Sequence, residues 1–470
     1  MVPDALRICL LSYRGNPRSG GQGIYVRLLS EALRDLGHAV DVWSGQPYPE
    51  LASGVRLFRV PSLDLWNEQA WLRTPPLREL WDPINLSEWA RSKTGSFVEP
   101  LTFSSRIARH FRRGDAPAYD VVHDNQCLGP GLLELQRKLP VVATVHHPIT
   151  VDRRIAFQHT RDSIKRWGLS RWYSFLPVQL KVARQLDRIL TVSQASLRDI
   201  AGEYGVPLSH MRVVGNGINL DVFHPQPEIE GKADQLITTL SADAPLKGFR
   251  YLLEALYELR RTRPSLRLLV IGKPGAETDT KARISALGLE QAVHFTGYIE
   301  APDIARCYAE STLAVVPSLY EGFGFPAGEA MACEVAVVCT RAGALPEVLG
   351  EHGEAGLLVP PRDGRALAQA IAALLDDPAR RAAMGAAGRR RVLSHFTWKR
   401  AAERTVEVYR DAIEARQRSS PVPRPRFAAA RSGNQVPRRR LVRASRAMRL
   451  IRASQATRLA AALLGSRATC

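Results

Sequence analysis

Arg7-Ile-Cys-Leu-Leu-Ser-Tyr13 has the length and apolar run of a short buried strand, and the residues that follow it decide the fold. Ser19-Gly-Gly-Gln-Gly23 supplies a glycine-rich turn; Ile24, Leu28, Leu29, Leu33 and Leu36 then recur at helical spacing up to Gly37. His38-Ala-Val-Asp-Val-Trp43 returns to a strand pattern. Strand, glycine-rich turn, helix, strand is the opening of a doubly wound α/β domain, which binds ligands at the C-terminal ends of its strands. Strand-like runs recur at 119–123, 140–145, 188–192 and 211–214, with helical patterns mostly between them. This first domain is expected to span residues 1–222.

Outward from there, Asp221-Val-Phe-His-Pro-Gln-Pro-Glu228 carries the prolines of a linker, and a second alternation starts at Leu236. A helical pattern over 251–260 follows, with strand candidates at 266–271, 292–295, 313–317, 336–339 and 356–359. The second domain is expected over 223–395, a closing helix over 396–416 and a tail over 417–470. The fold class is therefore α/β, with two facing Rossmann-like domains, a cleft between them and a basic C-terminal tail.

The bulk properties agree. The chain has 470 residues, enough for two large domains, and its 45% apolar and 24% charged content excludes wholly disordered, collagen-like and disulfide-scaffold proteins. No run of 18 apolar residues and no secretory leader pattern occurs. The six cysteines are scattered with no CxxC pair, as expected of reduced thiols in a cytoplasmic protein. The formal net charge is +19, but thirteen arginines and no acidic residue lie beyond position 416, which leaves +6 for the body. A nucleic-acid partner is therefore not expected of the body. In the tail, Leu441, Val442, Met448, Leu450, Ile451 and Leu459 are set among arginines. Residues 436–467 read either as a basic amphipathic helix on an anionic membrane surface, which would make the protein peripheral at its inner face, or as a solvated Arg/Ala tail.

The most chemical segment is Pro317-Ser-Leu-Tyr-Glu321-Gly-Phe-Gly-Phe-Pro-Ala-Gly-Glu329, placed after a strand and leading into a helix expected from Glu329 to Glu334. Two carboxylates stand eight residues apart around a glycine-rich turn. Gly322 and Gly324 would let the backbone approach a sugar or phosphate closely, and N–H groups at the helix start could hold an anion. Glu321 and Glu329 then serve as acceptors for sugar hydroxyls; the bland alternative is a loop whose glutamates face solvent or cap the helix. Gly20, Gly21 and Gly23 precede the first helix, so their backbone can come near donor phosphates or an acceptor. A dinucleotide fingerprint would need a third glycine, which Gly21-Gln-Gly23-Ile-Tyr-Val26 lacks. His146 and His147 end a strand at the same cleft, and strand alternation selects His146 as the inward one.

The segment resembles the Glu-x7-Glu motif of the family 4 retaining glycosyltransferases, which have the GT-B fold. The resemblance spans most of residues 7–416 and includes Ser19-Gly-Gly-Gln-Gly23, Thr144-Val-His146, Val214-Gly-Asn-Gly-Ile218, Lys247-Gly248 and Ala342-Gly-Ala-Leu-Pro-Glu347. It implies a hexosyltransferase using a nucleotide diphosphate sugar, with the donor on the second domain and an unidentified acceptor on the first; a basic tail that binds anionic vesicles would point to a lipid-linked or envelope-glycan acceptor. Glu321 is then the contact to donor-sugar hydroxyls, Phe323 and Gly324 lie on the loop whose amides meet sugar and phosphate, and Glu329 clamps the ribose. Lys247 resembles the lysine that neutralises the diphosphate, and His146 the histidine near the reacting sugar. The family's arginine about five residues before that lysine is missing, since Ser241-Ala-Asp-Ala-Pro245 stands there; Arg250 or Lys273 are the substitutes on offer. No Asp-x-Asp motif is set to grip a diphosphate, so transfer without metal or other cofactor is expected.

His123-Asp124 and Arg153-Arg154 are candidates for the acceptor side, and Asn216-Gly217 reads as a plain turn. Trp66, Trp71, Trp81 and Trp89 mark a region that is either an apolar acceptor surface or a packing insert. The rival functions are a nucleotide-sugar epimerase, a sugar phosphorylase, and a degenerate binding module recruited by its basic tail.

Overall fold

The computed structural model describes residues 3–16, 21–65, 73–240, 245–275, 279–350 and 353–419. Two all-parallel sheets form its frame. The first contains β1 (Arg7–Ser12), β2 (Ala39–Ser44), β3 (Arg56–Arg59), β4 (Val121–Asn125), β5 (Val141–Val145), β6 (Arg188–Thr191) and β7 (Met211–Val213), in the order β3-β2-β1-β4-β5-β6-β7. The second contains β8 (Gln235–Leu240), β9 (Arg267–Gly272), β10 (Val293–Phe295), β11 (Leu313–Val316), β12 (Val337–Thr340) and β13 (Leu357–Val359), in the order β10-β9-β8-β11-β12-β13. In each sheet the order reverses beside the first strand, which leaves a crevice at the strand ends.

The near-continuous apolar runs of these strands explain why both faces of each sheet are covered. Cys9, Leu11, Val122, Ala143 and Ile189 enter the core on one face of the first sheet; Ile8, Leu10, Val40, Val121 and Leu190 enter that on the other. In the second sheet Leu236, Leu268, Leu313 and Val338 face one way, and Ile237, Ala314, Val337 and Cys339 the other. Helix Gly21–Asp35 covers the first sheet together with the last helix, Trp398–Ser419, which returns from the second domain. Tyr409, fully buried on that helix, meets the ring of His123 at 2.6 Å, and Arg188 pairs with Asp411 at 2.9 Å. The domains are thus joined twice, because Ile218 N–H donates to Phe396 O (2.7 Å) where the two connecting segments run side by side.

Strand β3 is not among the runs read from the sequence: it has only Leu57 and Phe58 between two arginines, and Arg56 is held by its bidentate pair with Asp41. One expectation is corrected. The helix expected from Glu329 to Glu334 spans Phe325–Ala332: Pro326 sits in the first turn, where its missing N–H costs nothing, Gly324 precedes it with φ +101°, and Glu334 has left the helix at φ +62°. The tryptophan-bearing region forms helices Pro83–Ser92 and Glu99–Arg113; Trp89 packs with Leu63, Leu65, Leu80, Phe97 and Trp172, while Trp81 is exposed. Trp66, Trp71, the tail beyond Ser419 and its expected membrane segment lie outside the described residues. Among the described residues, five cysteines are free, and no helix is long and apolar enough to cross a membrane.

Candidate active site at the facing strand ends

The candidate site is built from loops that leave parallel strands at their C-terminal ends. Beyond β8 the chain makes a short turn, Pro245–Lys247, and beyond β11 it runs through Ser318 to Glu321. These meet: Lys247 Nζ donates to Glu321 Oε1 at 2.8 Å, and Ser318 Oγ donates to the same oxygen at 2.8 Å. Thr340 Oγ1, at the end of β12, anchors the loop through the Ser318 carbonyl. Two residues 74 positions apart in the chain thus form a half-buried ion pair at the floor of the crevice.

Opposite stands the end of β5. That strand stops at Val145, so the alternation used to select His146 has no force at residues 146 and 147. His146 turns back into its own domain, with Nε2 2.7 Å from Asn125 Oδ1 and its ring edge-on to Tyr25. Burial, reinforced by His147 and His123, pushes its pKa down to about 3, so the ring is neutral. His147 is the one that senses the pair across the crevice. Burial, the largest influence, lowers its pKa, but Asp152 at 2.8 Å, aided by Glu321 and opposed by Lys247, leaves it raised above the usual histidine value. Gly322 makes this approach possible, since a Cβ there would lie 2.6 Å from the His146 carbonyl oxygen. The glycine expected to admit a ligand also lies against the facing domain.

The other expected residues fall in three groups. Glu329 is half-buried against Tyr308, and burial, partly offset by that hydroxyl, lifts its pKa to about 7. Phe323 is buried with its ring against Phe325 and Phe396, so the side chain packs the interdomain hinge and only its backbone is free for a ligand; Gly324 caps helix Phe325–Ala332. Gly21 opens the first helix with free space over its Cα, whereas Gly23 lies against the Asn16 carbonyl; Gly20 and residues 241–244 lie outside the described residues. Of the substitutes for the missing arginine, Arg250 lies near Glu254 and over Tyr251, and Lys273 follows the end of β9.

His123 and Asp124 do not line the acceptor side. They are fully buried inside the first domain, His123 between Tyr409 and Thr144 and Asp124 holding Leu128 N–H at 3.0 Å. The reason is their place on β4, a central strand covered on both faces. Arg153 and Arg154 do line an open pocket of about 540 Å³ with Thr150, Phe157, Gln158 and Arg166, where Arg153 and Arg166 both lie over the Phe157 ring. Asn216-Gly217 is part of the hinge, packed on Trp398. Among the described residues no three His, Cys, Asp or Glu gather as metal ligands.

Residues 19–222 match a family model described as Glycosyltransferase Family 4, and residues 223–391 one described as Glycosyl transferases group 1. The chain is also 44% identical over 417 residues to the MMP alpha-(1->4)-mannosyltransferase of Mycolicibacterium hassiacum, covering 87% of this chain and 98% of that one. The chain belongs to glycosyltransferase family 4. The enzyme shares its GT-B fold with sucrose-phosphate synthase from Thermosynechococcus elongatus (25% identity, TM-score 0.64, 87% of this chain and 100% of that one). It is likewise similar in fold to Anabaena Alr3699/HepE, solved in complex with UDP-glucose (18% identity, TM-score 0.61, 86% and 100%). The pairing of Lys247 with Glu321 is therefore met in a glycosyltransferase, and the epimerase, phosphorylase and binding-module readings are not favoured.

Sequence reasoning missed Ser318, which holds Glu321, Asp152, which holds His147, Asp199, which accepts from Tyr320 Oη, and Glu347, which accepts from the Gln194 and Ala195 N–H groups. Glu347 was visible inside Ala342-Gly-Ala-Leu-Pro-Glu347, but nothing in that run says what it touches.

Proposed function

We propose that the enzyme transfers a mannosyl group from a nucleoside diphosphate mannose to a hydroxyl of a saccharide acceptor, forming an α linkage with retention. The observation that carries this is the Lys247–Glu321 pair at the crevice floor, in a chain whose 44% identical relative is named an α-(1→4)-mannosyltransferase. Glu321 accepts hydrogen bonds from the donor sugar, the amides around Phe323 and Gly324 meet sugar and phosphate, and Glu329 accepts from the ribose. Lys247 neutralises charge on the leaving diphosphate as it grows. The acceptor enters from the first domain on the same face of the sugar: its oxygen bonds to the anomeric carbon, the bond from that carbon to the phosphate oxygen breaks, and the acceptor proton passes to the departing phosphate. No protein nucleophile or metal is invoked. Closure of the two domains excludes water and limits hydrolysis. Residues 436–467, read from sequence alone, would bring the enzyme to an anionic membrane surface.

A thermal-shift screen against GDP-, UDP- and ADP-mannose tests the donor, followed by nucleotide release with and without a mannoside acceptor. A donor at ~100 times its dissociation constant adds roughly 2.7 kcal/mol of stability. Release that needs the acceptor, with an α-linked product by NMR, is the expected result; release without acceptor, or a free epimerised sugar, overturns the reading.

Glu329 makes donor binding pH-dependent. With its pKa near 7 the side chain is half protonated at neutrality, and ribose hydroxyls favour the ionised acceptor. Binding therefore expels a proton below that pKa, so nucleotide affinity is expected to fall about tenfold per unit below pH ~7 and to level off above it. Calorimetry at several pH values checks this, and Glu329→Gln should flatten the profile.

A further inference from the structure

Helix Gln194–Tyr204 belongs to the first domain, yet its opening turn is completed by the second. An α-helix leaves its first N–H groups without partners inside the helix. Here Ser193 Oγ takes Ser196 N–H at 3.0 Å, while Gln194 and Ala195 N–H both donate to the Glu347 carboxylate at 2.7 Å. Glu347 lies 153 positions after Gln194, on helix Leu345–Leu349 of the second domain. The same turn reaches the loop that carries Glu321. Ser193 Oγ and Ser196 Oγ lie 2.8 and 3.2 Å from the Gly322 carbonyl oxygen, and Tyr320 Oη donates to Asp199 Oδ2 at 2.9 Å. From its own domain Ala344 N–H holds the Glu321 carbonyl at 2.9 Å.

The residues on both sides of Glu321 are thus held by one helix of the facing domain, and that helix is held by a carboxylate one turn beyond Ala344. We infer that the opening turn of helix Gln194–Tyr204 is a latch that positions Glu321 for transfer, with Ser193, Ser196, Asp199 and Glu347 as positioning residues. The inference rests on Glu321 being the donor-sugar contact. None of these side chains needs to touch the sugar. When the domains separate, the Gly322 carbonyl and two helix N–H groups lose their partners, and Glu321 loses the constraint that aims it beside Lys247. The productive donor site then exists only in the closed enzyme, which couples transfer to the exclusion of water.

Glu347→Gln and Ser193→Ala/Ser196→Ala in the full chain test this, with Tyr320→Phe as the mildest change, since it removes one oxygen. Each is assayed for mannosyl transfer, for affinity toward the free nucleoside diphosphate, and by small-angle scattering. Expected are a kcat lower by roughly tenfold or more for the first two, nucleotide affinity within about twofold of wild type, and a larger radius of gyration for Glu347→Gln. Ser193→Thr alone, which keeps the hydroxyl, should retain wild-type kcat. Unchanged kcat and radius overturn the latch, as does a joint loss of kcat and nucleotide affinity in the serine double variant, or a loss of kcat in Ser193→Thr as large as in that variant. If the wild type transfers nothing, the functional reading fails instead, and the scattering comparison alone decides the latch: an equal radius overturns it.

Discussion

Lys247→Ala is expected to lower kcat for transfer by about 10²–10³-fold, the usual loss when one preorganised donor to a developing charge is removed. The ammonium stands on a turn fixed by Gly248, whose φ of +62° lets the chain pass tightly over the Pro317 carbonyl, so Nζ is presented at the pair with Glu321 rather than swung into solvent. The leaving diphosphate gains negative charge only as the glycosidic bond breaks, so the effect should fall on kcat more than on affinity for the intact sugar nucleotide. The same substitution takes from the Glu321 carboxylate its cationic partner while keeping the Ser318 hydroxyl. Lys247→Arg should recover little, because a planar guanidinium does not fit the place of a compact ammonium. Steady-state kinetics of both variants decide the matter: a kcat for Lys247→Ala within about threefold of wild type, under half a log unit, would remove this lysine from the chemistry.

The second large effect concerns stability. Arg106→Ala is expected to destabilise the first domain by about 3–5 kcal/mol. Arg106 and Glu88 are almost wholly buried, at 3% and 1% side-chain exposure, with Nη2 and Oε2 2.5 Å apart. Thr102 Oγ1 donates to the same carboxylate at 2.8 Å, and Arg106 also donates to Asn85 Oδ1 at 2.7 Å. Truncating the arginine strands a carboxylate that has no water to turn to, and loosens helix Pro83–Ser92 from helix Glu99–Arg113. Replacing both partners, Arg106→Met with Glu88→Leu, should cost far less, because the desolvation penalty is removed together with the attraction. Urea unfolding of the single and double variants separates these outcomes; equal losses in both would mean that packing, not charge, holds the two helices.

The contrast between these residues shows where sequence reading stops. Lys247, Glu321 and Glu329 were legible because each sits in a short pattern at the end of a strand, and the parallel α/β topology sends all such ends to one crevice. Arg106 and Glu88 were not, since nothing in a helical segment tells a buried ion pair from two solvated charges until the neighbouring helix is in place. His123 and Asp124 were misread for the reverse reason: polar residues on a strand look available until both faces of the sheet are covered. The histidines at 146 and 147 failed differently, because period-2 alternation ends with the strand and β5 ends one residue too soon.

By itself the sequence determined the two parallel sheets, the crevice between them and the family of the enzyme, because short apolar runs, turn glycines and local motifs are set by residues near one another in the chain. Only the tertiary structure decided that His147, rather than His146, senses the Lys247–Glu321 pair, and that Glu347 closes a helix of the other domain. It also decided that Gly322 serves the approach of two backbones. Those interactions join residues 74 to 176 positions apart, and their partners are selected by packing and desolvation, which no local pattern records.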